Sequence, residues 1–139
     1  MTAESRSRGT SRRDAPASPQ QIVVADDDLL FSTNLSGTLT ALGYRPLVVR
    51  TEAALLEALR GSPRAAIVNL AARGFEAAGV IARLKDDTAT RGVPILGFCG
   101  HRDVERLRAA KAAGCDEVAT NGAVAGDLGR LLTALIGTA

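Results

Sequence analysis

The sequence predicts an α/β fold, a doubly wound parallel sheet with helices on both faces, and three observations point to it. Short apolar runs recur along the chain, segments with apolar residues at helical spacing separate them, and glycines stand where those segments stop. Strands covered on both faces read as continuous hydrophobic runs rather than as alternating ones. A strand followed by a helix, five times over, gives a parallel sheet joined by right-handed crossovers.

Ile22-Val23-Val24-Ala25 is the first strand. Phe31, Leu35, Leu39 and Leu42 then repeat at helical spacing, and Gly43 fits the residue just past a helix end. Leu47-Val48-Val49 is the second strand, and Thr51 is placed to cap a helix that buries Leu55, Leu56 and Leu59 and stops at Gly61. Ala66-Ile67-Val68 is the third strand, followed by a helix carrying Val80, Ile81 and Leu84. Val93 to Phe98 reads as the fourth, then a helix from about Arg102 to Ala113 that Gly114 ends. A weaker fifth strand, Glu117-Val118-Ala119, precedes a last helix carrying Val124, Leu128, Leu131, Leu132, Leu135 and Ile136.

Composition limits what such a domain can do. The 139 residues are 46% hydrophobic and 23% charged, the balance of one soluble globular unit. Residues 1–20 are rich in Arg, Ser and Pro and cannot bury enough apolar area to offset their ordering entropy, so the expectation is a disordered tail ahead of a domain at 21–139. Arg6, Arg8, Arg12 and Arg13 against Glu4 and Asp14 account for the whole net charge of +2. The domain itself is electrically balanced and poor in aromatics, which argues against nucleic-acid binding. No apolar run approaches a membrane span or a secretory signal, and two cysteines do not make a disulfide scaffold, so the cytoplasm is the default compartment.

In an open parallel sheet the functional crevice lies at the carboxyl ends of the strands. Those ends carry Asp26-Asp27-Asp28, then Asn69 to Ala72, Cys99 to His101, and Thr120 to Gly122. Adjacent carboxylates repel and are relieved by a cation, by helix amides or by water. The plainer reading has Asp28 capping the first helix and the other two solvated. Hard oxygen ligands suit Mg²⁺, which needs only one or two carboxylates.

IVVADDD, AAIVNLA, VPILGFCGH and AGCDEVATNG, in this order and spacing, resemble the receiver domain of bacterial two-component response regulators from residue 21 to about 137. The resemblance implies a flavodoxin-like (βα)5 sandwich with strand order 2-1-3-4-5. It implies that the acidic pair, here Asp26 and Asp27, holds Mg²⁺. It further implies an Asp after strand three that accepts a phosphoryl group from a histidine kinase, and a Thr or Ser and a Lys that bind that phosphoryl.

The departures from that pattern bear on function. The acceptor position is Asn69, a neutral carboxamide that cannot form an acyl phosphate and that takes one negative charge from the metal site. The hydroxyl position is Cys99, a weak donor, and the Lys position is Asn121, which cannot neutralise phosphoryl charge. Gly122 stands where a Pro usually follows the Lys, and Val118 where many receivers carry a switch aromatic. Attack, stabilisation and readout are lost together. The expectation is a degenerate stand-alone receiver that is not an enzyme and acts as a phosphorylation-independent adaptor. The alternative is a module gated by a cation or small polar ligand in the crevice. No cofactor is expected beyond weakly held Mg²⁺.

The partner implied is another signalling protein, a kinase, regulator or receiver, with a homodimer as the other arrangement. The resemblance directs attention to the face of helix four and strand five, with Arg102, Arg106, Arg108, Lys111 and Val118; a solvated helix face held by Asp103 and Glu105 is the plain alternative. Cys99 and Cys115 fall at opposite ends of the sheet, too far apart for a disulfide, and read as two small buried thiols. His101 has no second ligand at metal spacing.

Overall fold

Five short strands, each closed by a helix, are laid down in the predicted order. The computed structural model describes residues 20–137; all but the last residue of the expected tail lies outside that range. The strands are β1 (Gln21–Ala25), β2 (Arg45–Val49), β3 (Ala65–Asn69), β4 (Ile95–Cys99) and β5 (Glu117–Thr120). The helices are α1 (Leu29–Ala41), α2 (Glu52–Arg60), α3 (Ala77–Asp86), α4 (Val104–Ala112), α5 (Asn121–Gly126) and α6 (Leu128–Ile136). The sheet runs β2-β1-β3-β4-β5 with every pair parallel, so the order 2-1-3-4-5 holds.

The pleat explains why the strands read as unbroken apolar runs. Successive side chains point to opposite faces. Ile22, Val24, Ala65, Ile67, Leu96 and Phe98 pack under α1, α5 and α6 with Leu35, Leu39, Val124, Leu128 and Leu132. Val23, Ala25, Ala66, Val68 and Ile95 pack on the other side with Leu55, Leu59, Val80, Ile81 and Leu84. Both faces are buried, so neither half of the alternation can be polar.

The helix starts follow local chemistry. Asp28 Oδ1 accepts from Phe31 N at 3.0 Å and Thr51 Oγ1 from Ala54 N at 3.1 Å, satisfying amides that have no intrahelical partner. Gly43 closes the α1–β2 turn at φ +95°, a conformation costly for any residue with a Cβ. At the outer edge of the sheet, β2 begins Arg45-Pro46, with Pro46 opposite Ile22.

Several boundaries differ from expectation. β4 begins at Ile95 rather than Val93, and Asn69 is the last residue of β3 rather than the first beyond it. Helix α4 begins at Val104, so Arg102 lies in the loop before it; Asp103 makes no capping bond because its carboxylate is engaged by the Arg106 guanidinium. The single last helix expected is two, α5 and α6, broken at Asp127, where φ −143° leaves the helical region directly after the poor helix former Gly126. No helix among the described residues is long and apolar enough to cross a membrane.

Candidate functional site

The carboxyl ends of β1 and β3 bring Asp26, Asp27, Asp28 and Asn69 together. Ala25 pairs with Val68, so the residues that follow face each other across one strand spacing. A crevice of about 300 Å³ opens above them, lined by Asp27, Asp28, Phe31, Asn69, Ala71, Arg73, Phe98 and Asn121. Asn121 enters it as the first residue of α5, and Thr120 Oγ1 caps that helix by accepting from Ala123 N at 3.1 Å.

Each carboxylate has a different job. Asp26 is fully buried; its Oδ1 accepts from Asn69 Nδ2 at 2.8 Å and from Asp28 N at 3.0 Å. Its Oδ2 is buried without a partner in the protein. Asp27 Oδ2 accepts two loop amides, Arg73 N at 2.7 Å and Gly74 N at 2.9 Å. Asp28 caps α1, as the plain reading expects, but Asp26, expected there to be solvated, is buried because it closes the end of β1 beneath the Asn69 amide. Asn69 is oriented from its other end, where Oδ1 accepts from Ala71 N at 2.9 Å. That geometry makes Nδ2 the group facing Asp26.

Burial pushes the Asp26 carboxyl above its ordinary value of 3.8; the Asn69 and Asp28 hydrogen bonds oppose the rise, and the charges of Asp28 and Asp27 add to it. The folded state therefore binds this proton more tightly than the unfolded chain. Stability from this group is full below pH 3.8 and is lost as the pH climbs through the folded-state value. Urea unfolding of the natural chain and Asp26→Asn across the acid-to-neutral range will show it as a difference: relative to the variant, the natural chain loses stability as the pH rises. A difference that stays constant with pH would assign the loss to other carboxylates.

Cys99 does not line the crevice. It is buried, and its thiol lies 3.7 Å from the Asp103 carbonyl; burial first and the Asp103 charge second raise its pKa, the opposite of an activated thiolate. Cys115 sits at the other end of the sheet, 3.4 Å from the Ile95 carbonyl, half-buried rather than buried, and both cysteines are free. His101 is exposed, and no group of three metal-ligating side chains exists among the described residues.

On the α4 face, the Arg106 guanidinium binds Asp103, and Arg108 binds Glu105 at 3.2 Å. Arg102 and Lys111 are exposed, and Val118 is half-buried against the core under α4. The helix-face ion pairs weighed against a partner role are therefore formed.

No protein-family model matches the chain, and no curated protein matches it in sequence. Solved structures do match in fold. The chain superposes on the receiver domain of the sensor histidine kinase PA1611 from Pseudomonas aeruginosa with a TM-score of 0.75 at 19% identity, covering 87% of this chain and 100% of that one. That receiver has a magnesium ion coordinated in its active-site cleft. The chemotaxis response regulator CheY4 of Vibrio cholerae gives 0.68 at 17% identity, over 82% and 99% of the two chains. A response regulator receiver domain from Rhodospirillum rubrum gives 0.69 at 15%, over 83% and 94%. The class defined by this architecture is the response-regulator receiver fold, as the sequence motifs led us to expect.

The Mg²⁺ implied by that fold does not suit the donor set present here. Asp26 Oδ1 and Asp27 Oδ2 each already accept two N–H groups, and Asn69 Oδ1 accepts one. The remaining Asp26 oxygen is enclosed, and Asp26 is not among the residues lining the crevice. An octahedral ion needs reachable oxygens in a fixed array, and among the described residues the crevice carboxylates keep only Asp27 Oδ1 and Asp28 Oδ2 without a protein donor, the latter on the side chain that caps α1.

The orientation of Asn69, the loop amides on Asp27 and the enclosure of Asp26 are not deducible from residue types. The signal was partial: three carboxylates in a row require donors from somewhere, but their source is a loop more than forty residues away.

Proposed function

We propose that this chain is a receiver-like module of two-component signalling that works without phosphorylation, as an adaptor for another signalling protein. The observation that carries this reading is Asn69, whose amide donates to the buried Asp26 from the position where a receiver keeps its acceptor carboxylate. A carboxamide nitrogen that shares its lone pair with the carbonyl and donates its N–H has nothing to offer phosphorus. Asn121, in the crevice, is a neutral donor where charge neutralisation would be needed, and Cys99 is packed away from it. The reading assigns no catalysis to the chain. Its partner is a kinase, regulator or receiver, met on the surface of α4 and β5, where Arg102, Val104 and Lys111 are exposed.

The direct test is incubation with Mg²⁺ and a small-molecule phosphodonor such as acetyl phosphate, followed by intact-mass measurement. The expected result is no phosphoryl adduct on the natural chain. With Mg²⁺ and beryllofluoride, no amide resonance in the crevice should move beyond its shift in fluoride alone. An adduct mapped to the crevice, or a beryllofluoride-dependent shift there, would return the module to the class of phosphorylated switches.

A further inference from the structure

We infer that the chain holds its strand-end carboxylates by hydrogen bonds from its own amides, so that Asn69 and the β3–α3 loop take over the structural place of a cation and hold the crevice in one arrangement without metal. The inference rests on the reading of Asn69 as the replaced acceptor and extends it from chemistry that is lost to a structural role that is gained. Three adjacent carboxylates at one strand end must be compensated, because like charges a few ångströms apart raise one another's energy. Five N–H donors converge on them: Asn69 Nδ2 and Asp28 N on Asp26, Arg73 N and Gly74 N on Asp27, and Phe31 N on Asp28. Three of these contacts join segments distant in sequence. The Asn69 amide ties the end of β3 to the segment after β1, and the loop amides tie the middle of the β3–α3 connection to Asp27.

The loop has no slack for another position. A Cβ at residue 74 would lie 2.7 Å from the Arg50 carbonyl, so glycine lets the backbone press against the β2–α2 corner while its N–H reaches Asp27. Asn69 is thus a positioning residue. Its role depends on donating a hydrogen bond, which a carboxylate at this place cannot do. Asn69→Asp exchanges the donor for a fourth acidic group beside buried Asp26, and only a cation or a proton can then relieve the cluster.

Two measurements test this. The natural chain is followed by two-dimensional NMR and thermal unfolding in EDTA and in millimolar Mg²⁺. The Asn69 side-chain amide and the Arg73 and Gly74 N–H signals should stay in place, and the Tm should be the same in both. Asn69→Asp should melt about 5 °C or more below the natural chain in EDTA and recover with Mg²⁺. Saturable Mg²⁺ shifts at Asn69, Arg73 and Gly74 in the natural chain would overturn the inference, and so would an Asn69→Asp variant equally stable with and without the ion. If that variant does not fold, the titration of the natural chain decides alone. A saturable Mg²⁺ response with no phosphoryl adduct would overturn this inference while leaving the adaptor reading standing; an adduct would overturn that reading independently.

Discussion

Phe98→Ala is expected to lower the unfolding free energy by about 3–5 kcal/mol, the usual cost of truncating a buried aromatic. Phe98 is 1% exposed in the middle of the core layer beneath α1 and α5, and its ring stacks on Phe31 with centroids 5.1 Å apart. The cost has three sources: lost apolar burial, the void left behind and the lost ring pair, the last worth about 0.5–1.5 kcal/mol. Collapse cannot fill the void cheaply, because β4 is held between β3 and β5. Urea titrations of both proteins should show a lower midpoint at an unchanged slope. Phe98 also forms part of the crevice wall, so its loss should broaden the Asn69 side-chain signal. A change below about 1 kcal/mol would mean that α1 does not pack on β4 as described.

The second large effect is expected at Lys85, where α3 ends. Its ammonium donates to the Arg91 carbonyl at 3.2 Å, the Val93 carbonyl at 2.9 Å and Asp116 Oδ2 at 2.6 Å, and the same Asp116 oxygen accepts from Ile95 N at 2.7 Å. One cation thereby joins the end of α3 to the starts of β4 and β5. The Lys85 side chain is 17% exposed and that of Asp116 42%, so the Coulomb part is screened and the hydrogen bonds matter more. Lys85→Met keeps the apolar stem and removes all three donors, with an expected loss of about 1.5–3 kcal/mol. Because donor geometry dominates, molar salt should remove only a small part of the difference between the two proteins. A difference that vanishes in salt would show that the pair acts by charge alone.

These residues also mark how far the sequence could be read. Runs such as Ile22–Ala25 reveal a strand because both faces of the sheet are covered, and that is a property of residue type alone. Asp28, Thr51 and Gly43 are legible because a cap or a turn is local chemistry. The break at Asp127 had a signal in the Gly126-Asp127 pair, overridden in the reading by the apolar periodicity on either side of it. Lys85 showed none: its partners Val93 and Asp116 are 8 and 31 residues away. In the crevice, the motifs placed Asp26, Asp27, Asn69 and Asn121 at the correct strand ends. Which oxygen meets which amide depends on contacts spanning 43 to 47 residues, fixed only when the sheet closes. Cys99 follows the pleat, four residues after Ile95 and packed on the same side of the sheet.

The proline near the start of β2 has a consequence for how these molecules behave in a crowded solution. Arg45 N donates to the Gln20 carbonyl and the Val49 carbonyl accepts from Asp26 N, so residues 45, 47 and 49 turn their backbone groups toward β1. Residues 46 and 48 turn theirs outward. Residue 46 is proline, and the outward row of the strand is left with the single N–H of Val48. A foreign strand seeking to add itself there would find one donor where a ladder needs a repeating row. On this side the sheet is a finished border, and Leu47, 39% exposed, can remain at the surface without recruiting a sixth strand.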